Sequence, residues 1–177
     1  MRIILVGFMG VGKTTVGRKI ARKLNSKFVD LDMYIELKNK ASLSYIFNLI
    51  GEDGFRIIEQ KSMMEVVEED EIVLSTGGGT PCFYDNMNVL NDKGFTVYLS
   101  IPPQEILKRL YNYKKKRPLV DRLSKKELYN FINEKFQKRE KFYKKAKFEI
   151  HTSNIPINKV SDYIIEKAKL YYSQTSS

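Results

Sequence analysis

A chain of 177 residues with 42% hydrophobic content can bury about 70% of its unfolded surface in one core, with no need of a metal or disulfide staple. Cys82 is the single cysteine, which excludes an intramolecular disulfide, and with no signal peptide or long apolar run in sight the expected setting is the cytoplasm, away from membranes. The formal charge of +10 suits nucleic acid and polyanionic nucleotides equally, so charge alone selects no partner.

The apolar run Ile3-Ile4-Leu5-Val6 predicts a strand, and it leads directly into Gly7-Phe8-Met9-Gly10-Val11-Gly12-Lys13-Thr14. This segment has the pattern G-x-x-x-x-G-K-[ST], in which glycines let backbone N–H groups turn inward around phosphate oxygens. The helix expected next adds its positive N-terminal end. Gly10, Val11, Gly12, Lys13, Thr14 and Thr15 are therefore the candidate nucleotide-binding residues, with Lys13 placed on the β- and γ-phosphates and the Thr14 hydroxyl on Mg²⁺. A glycine turn between strand and helix is the simpler alternative, but strand, loop and helix in that order are the context that marks a site.

Val16, Ile20, Ala21 and Leu24 recur at helical spacing until Asn25-Ser26 breaks the pattern. Phe28-Val29 reads as a short strand ending in Asp30-Leu31-Asp32, which sets two acidic groups at its carboxyl end. Ser42 caps an expected helix over 43–50, and 52–68 continues helically, so two helices are predicted before the strand Ile72–Ser75. Thr76-Gly77-Gly78-Gly79 follows that strand, then a short helix over 85–91, a strand over 95–101 and a helix opened by Pro102-Pro103 and running to Leu110. Residues 112–123, with Lys114-Lys115-Lys116-Arg117-Pro118, are basic and aperiodic and read as a mobile loop. Ser124-Lys125-Lys126-Glu127 is a capping box for a helix to about Ala146, after which come a strand at 148–150, a helix over 160–171 and a frayed tail at 173–177.

This alternation predicts an α/β fold in three αβα layers, a five-stranded parallel sheet within one domain spanning 1–177. Ligands of such sheets bind beyond the carboxyl ends of the strands, where Gly7–Thr14, Asp30 with Asp32, and Gly77–Gly79 all fall. No repeat, long heptad or large apolar stripe is present, and a monomer is expected.

Together these segments resemble shikimate kinase, in the group of P-loop kinases that includes adenylate kinase. The resemblance rests on Gly7–Thr14, Asp30-Leu31-Asp32, Gly54-Phe55-Arg56-Ile57-Ile58-Glu59, Thr76-Gly77-Gly78-Gly79, Arg117-Pro118-Leu119 and Lys138-Arg139, in order along almost the whole chain. It implies ATP and Mg²⁺ as cofactors, shikimate as the substrate, and transfer of the γ-phosphate to the 3-hydroxyl of shikimate on the route to chorismate and the aromatic amino acids. By the same resemblance Asp32 orients the attacking hydroxyl, and Arg56 and Arg139 grip the substrate carboxylate. Gly77, Gly78 and Gly79 bring backbone to the substrate, and Arg117 acts from a lid over about 112–123. Arg109 and the 152–156 loop lie towards the adenine, and Asp30 reaches Mg²⁺ through water, the simpler alternative being that Asp30 or Asp32 only caps the following helix.

Phosphoryl transfer needs mainly positioning and charge neutralisation, which these residue types supply. No acid stands at Ser75 or Thr76, where many P-loop proteins carry one, which shifts the metal to Thr14 and Asp30. Glu59, one turn beyond Arg56, is placed to pair with it. Cys82 reads as a bystander thiol and His151 as structural. The competing expectations are a kinase of another hydroxy acid such as gluconate, a basic nucleic-acid-binding NTPase, and a nucleotide-dependent switch; no recognition motif for nucleic acid is present.

Overall fold

The structure, a computed structural model, describes residues 1–113 and 123–175. Five strands, β1 (Ile3–Val6), β2 (Lys27–Asp30), β3 (Ile72–Ser75), β4 (Phe95–Ser100) and β5 (Phe148–His151), form one parallel sheet in the order β2-β3-β1-β4-β5. β1 is central, with Ile3 in register with Val73 on one side and with Phe95 on the other. Every residue of β1, β3 and β4 is buried, which is why these strands read as continuous rather than alternating apolar runs. The edge strands β2 and β5 carry exposed Lys27, Glu149 and His151.

Among the described residues seven α-helices flank the sheet: α1 (Lys13–Leu24), α2 (Leu31–Asn39), α3 (Leu43–Val67), α4 (Asn86–Lys93), α5 (Pro103–Tyr113), α6 (Lys125–Tyr143) and α7 (Ile157–Thr175). α1 buries Val16, Ile20 and Ala21 and ends at Asn25, whose left-handed φ of 52° closes it through a hydrogen bond to the Ala21 carbonyl. α6 opens on a complete capping box between Ser124 and Glu127.

Two expectations need correcting. Residues 31–39 form a helix, α2, that the sequence pattern did not delimit. Its periodicity is short, and only Leu31 and Ile35 are buried on it. Asp30 is thus the last residue of β2 and the N-cap of α2, and Asp32 sits in the first helical turn rather than on the strand. By contrast, the two helices expected at 43–50 and 52–68 are present and meet at Gly51 within α3, where a φ of 71° and ψ of −177°, which only glycine adopts readily, break the helical geometry. Residues 173–175, expected to fray, continue α7, with Ser173 and Thr175 hydroxyls bonded to carbonyls of the preceding turn. Of the loop expected at 112–123, residues 114–122, Arg117 among them, lie outside the described residues, and Asn112 belongs to α5.

The strand order does the positioning. With β3 between β2 and β1, the loops leaving the carboxyl ends of these three strands become neighbours. The phosphate-loop candidate, the Asp30/Asp32 turn and the triple glycine therefore meet at one edge of the sheet.

Candidate active site

The first wall of this edge is the loop between β1 and α1. Gly7, Gly10 and Gly12 have φ values of 139°, 85° and 105°. At Gly7 a Cβ would also lie 2.6 Å from the Leu99 carbonyl oxygen, so both backbone angle and space demand glycine there. Phe8, fully buried and packed on Phe136, roots the loop in the core. Gly12 is the N-cap of α1, which aims the helix's first N–H groups at the cleft. Lys13 is buried and its Nζ donates to the carbonyls of Gly7 (2.7 Å) and Phe8 (3.1 Å).

The Thr14 hydroxyl donates to Asp30 Oδ2 at 2.7 Å, while Asp30 Oδ1 accepts from the Met33 amide at 3.4 Å. Asp30 therefore both caps α2 and touches the residue expected to bind metal. A cleft of about 260 Å³ lies between this loop and the next wall, lined by Gly10, Lys13, Thr14, Asp30, Asp32 and Gly78, with Thr15 at its exposed mouth.

Asp32 is half-buried where it lines this cleft, and its carboxyl is pushed up to about 6, first by loss of solvation there and then by the neighbouring Asp30 charge, with Lys13 opposing. Its position depends on Gly77, where a Cβ would sit 2.8 Å from Asp32 Oδ1 and 2.9 Å from Glu59 Oε1. Gly77, Gly78 and Gly79 all lack the positive φ of the phosphate loop. What requires glycine at 77 and 79 is room for the site's own side chains: at Gly79 a Cβ would lie 2.8 Å from Arg56 Nη1. At Gly78 it would approach the Met9 amide nitrogen to 3.1 Å, so the glycine loop rests directly on the phosphate loop.

Arg56, projecting from α3, is buried, unlike an ordinary helix-face arginine. Its Nη1 donates to Glu59 Oε2 at 2.6 Å and its Nη2 to Glu52 Oε1 at 2.9 Å. Glu59 is itself buried, and its other oxygen accepts from the Thr80 hydroxyl at 2.7 Å. Arg139, half-buried on α6, has no hydrogen-bond or ion-pair partner among the described residues. Its charge nevertheless reaches Glu52, whose carboxyl is held below the usual range by the Arg56 hydrogen bond, with Lys135 and Arg139 assisting.

On the opposite flank Arg109 Nη1 donates to the Val11 carbonyl at 3.1 Å and Nη2 to Glu105, which also accepts from Ser153. Arg109 and the 152–156 loop are thus joined beside the phosphate loop. The Cys82 thiol is pushed up to about 11, chiefly by burial, which makes it a poor nucleophile.

Glu52, Thr80, Phe83 and Tyr143 were not singled out from the sequence. Glu52 stands one helical turn before Arg56, a spacing that signals an ion pair. Nothing local marks the others: Phe83 lies against Arg56 from the segment after the glycines, and the Tyr143 hydroxyl donates to the Gly78 carbonyl from across the fold. The hydroxyl of Thr14 and carboxylate of Asp30 suit Mg²⁺, a hard cation that takes few protein oxygens and keeps water, and among the described residues no cluster of three or more His, Cys, Asp or Glu offers a closed metal cage.

Comparison with known proteins gives one consistent result. The family profile described as shikimate kinase matches residues 9–169. A shikimate kinase of Phocaeicola vulgatus is 49% identical to this chain over 82% of it and 83% of its own length. The crystal structure of shikimate kinase from Bacteroides thetaiotaomicron superimposes with a TM-score of 0.89 at 38% identity, covering 98% of each chain. The enzyme from Acinetobacter baumannii in complex with shikimate gives 0.87 at 34% identity, covering 98% of this chain and 93% of its own.

Proposed function

This chain belongs to the shikimate kinase family, and we propose that it transfers the ATP γ-phosphate to the 3-hydroxyl of shikimate, releasing shikimate 3-phosphate and ADP. The observation that carries the reading is a two-walled cleft, in which a phosphate loop rests at Gly78 on the segment that shapes Asp32 and Arg56. On the donor side the amides of Gly10 to Thr15 take the phosphates. Lys13 exchanges the Gly7 and Phe8 carbonyls for phosphate oxygens, bringing its charge to where charge develops. Arg109 flanks the nucleotide base.

On the acceptor side Arg56 and Arg139 hold the substrate carboxylate, a task for planar guanidinium groups. Gly77, Gly78 and Gly79 admit the ring. Asp32 accepts a hydrogen bond from the attacking hydroxyl and holds its oxygen in line with the γ-phosphorus. With a carboxyl near 6, Asp32 is ionised at neutral pH yet basic enough to receive the proton that the hydroxyl gives up. Thr14, and Asp30 through water, would hold Mg²⁺, which supplies neutralisation of β- and γ-phosphate charge. Arg117, in the segment outside the described residues, completes the reading as the lid arginine over the transferring phosphate. We further propose one kinase domain over 1–177, acting as a monomer in the cytoplasm; no described helix is long and apolar enough to cross a membrane.

The test is ADP release coupled to a spectrophotometric readout with MgATP and a panel of shikimate, quinate and gluconate. Turnover dependent on shikimate is expected. Turnover with gluconate in its place, or none above the ATP-only rate with any acceptor, overturns the assignment.

A further inference from the structure

Arg56 is held in an unusual way for a residue meant to receive a carboxylate. Both of its terminal nitrogens already pair with glutamates, Glu59 at 2.6 Å and Glu52 at 2.9 Å, and its buried Nε has no hydrogen-bond partner. The Glu52 side chain is 51% exposed and that of Glu59 is 2% exposed, so an arriving carboxylate displaces Glu52 and leaves Glu59 in place. One in-plane contact then remains, and it does not fix the tilt of the guanidinium plane. The tilt is set by what lies on its faces. Phe83 lies 4.0 Å from the guanidinium carbon to the ring centroid, against 5.2 Å for Phe55 and 5.9 Å for Phe47.

Phe83 comes from the segment just past the triple glycine, a 3-10 turn over Thr80–Cys82. The same turn supplies Thr80, fully buried, whose hydroxyl locks Glu59 Oε1. The turn is itself tied down: buried Asn86 donates to the Thr80 carbonyl at 2.8 Å, and the Asn86 amide donates to the Phe83 carbonyl at 3.3 Å. A short rigid segment thus reaches Arg56 from two directions, through Glu59 in its plane and through an aromatic ring on its face.

We infer that Phe83 and Thr80 are positioning residues that aim Arg56 at the acceptor's carboxylate, and so help to set selectivity for a carboxylate-bearing acceptor. This rests on the reading of Arg56 and Arg139 as the carboxylate clamp. Phe83 touches no reacting atom; it supplies a π-face that fixes the plane of the guanidinium and stabilises the cation where Arg56 is buried.

The experiment compares shikimate with its methyl ester, which keeps the ring hydroxyls and lacks the charge, in wild type, Phe83→Leu, Phe83→Tyr and Thr80→Val. In wild type, kcat/KM is expected to favour the free acid strongly. Phe83→Leu is expected to raise the shikimate KM about tenfold, with kcat and the MgATP KM within about twofold, and to leave kcat/KM for the ester unchanged. Phe83→Tyr restores the wild-type preference, and Thr80→Val reproduces the loss more weakly. A purely structural role would move both acceptors together and lower the melting temperature in step. Equal losses for acid and ester in Phe83→Leu, or an unchanged acid-to-ester ratio in both Phe83→Leu and Thr80→Val, overturn the inference while leaving the kinase reading intact. A wild type indifferent to esterification overturns the clamp itself. Should Phe83→Leu fail to fold, Thr80→Val decides on the same ratio.

Discussion

In the proposed site the donor wall of the cleft is one unbroken run, Gly7–Thr14, shaped by backbone angles at three glycines, whereas the acceptor wall draws Asp32, Arg56, Gly77 to Gly79 and Arg139 from four separate segments. On that reading the donor wall works through main-chain N–H groups, one helix end and Lys13, all carried by the segment that joins β1 to α1. The acceptor wall works through side chains that hold one another: Thr80 fixes Glu59, Glu59 and Glu52 fix Arg56, and Gly77 leaves room for Asp32. Phosphate is recognised by a local motif because it is the same in every nucleotide. A particular acceptor needs groups spaced to its own shape, and only distant segments supply that spacing.

The contrast can be broken from either side. The largest effect is expected for Lys13→Ala, which removes the donor wall's charge: kcat falls by about 10³-fold or more while the circular dichroism spectrum and shikimate dissociation constant stay near wild type. Retained turnover would mean that the backbone cradle suffices without its cation.

Asp32→Asn comes next, at the seam of the two walls, with an expected loss in kcat of about 10²- to 10⁴-fold. Because the folded chain holds the Asp32 proton up to about 6, against 3.8 for the ordinary carboxyl, the stability this group contributes is complete below about pH 4. It is lost as the pH rises through 6. At pH 7.5 the Asn variant is therefore expected to melt higher than wild type, by a free energy of up to about 3 kcal/mol. The wild-type kcat/KM for shikimate should fall on the acid side with a midpoint near pH 6. A lower melting temperature in Asp32→Asn would show that the carboxylate is better paired than its surroundings indicate.

The smallest of the three is Arg139→Lys on the acceptor wall, where one point charge replaces a two-pronged group. The shikimate KM is expected to rise about 10- to 100-fold, with the MgATP KM unchanged. Steady-state kinetics with each substrate varied in turn separates these outcomes, and an unchanged shikimate KM would place Arg139 outside the carboxylate clamp.

Much of the scaffold was readable from residues alone. Continuous apolar runs at β1, β3 and β4, the Ser124–Glu127 capping box and the Gly7–Thr14 pattern are all local signals, and each corresponds to an element or a turn in the fold. α2 was not delimited because its two buried residues, Leu31 and Ile35, are too few to impose a period, and it starts immediately after Asp30, which is both the end of β2 and the N-cap. At Gly77 and Gly79 the missing Cβ makes room for Asp32 and Arg56, and at Gly78 for the Met9 backbone, where the sequence reading expected room for the substrate.

Lys13, Thr14 and Arg56 could be named from pattern and resemblance, since a motif written in consecutive residues carries its own geometry. What surrounds them was decided by the tertiary structure. The order β2-β3-β1 brings Thr14 to 2.7 Å from Asp30, and the turn after β3 sets Phe83 over a guanidinium that α3 delivers. No local rule relates residue 83 to residue 56, because their contact depends on how a helix and a loop, each stable for reasons of its own, pack on the same sheet.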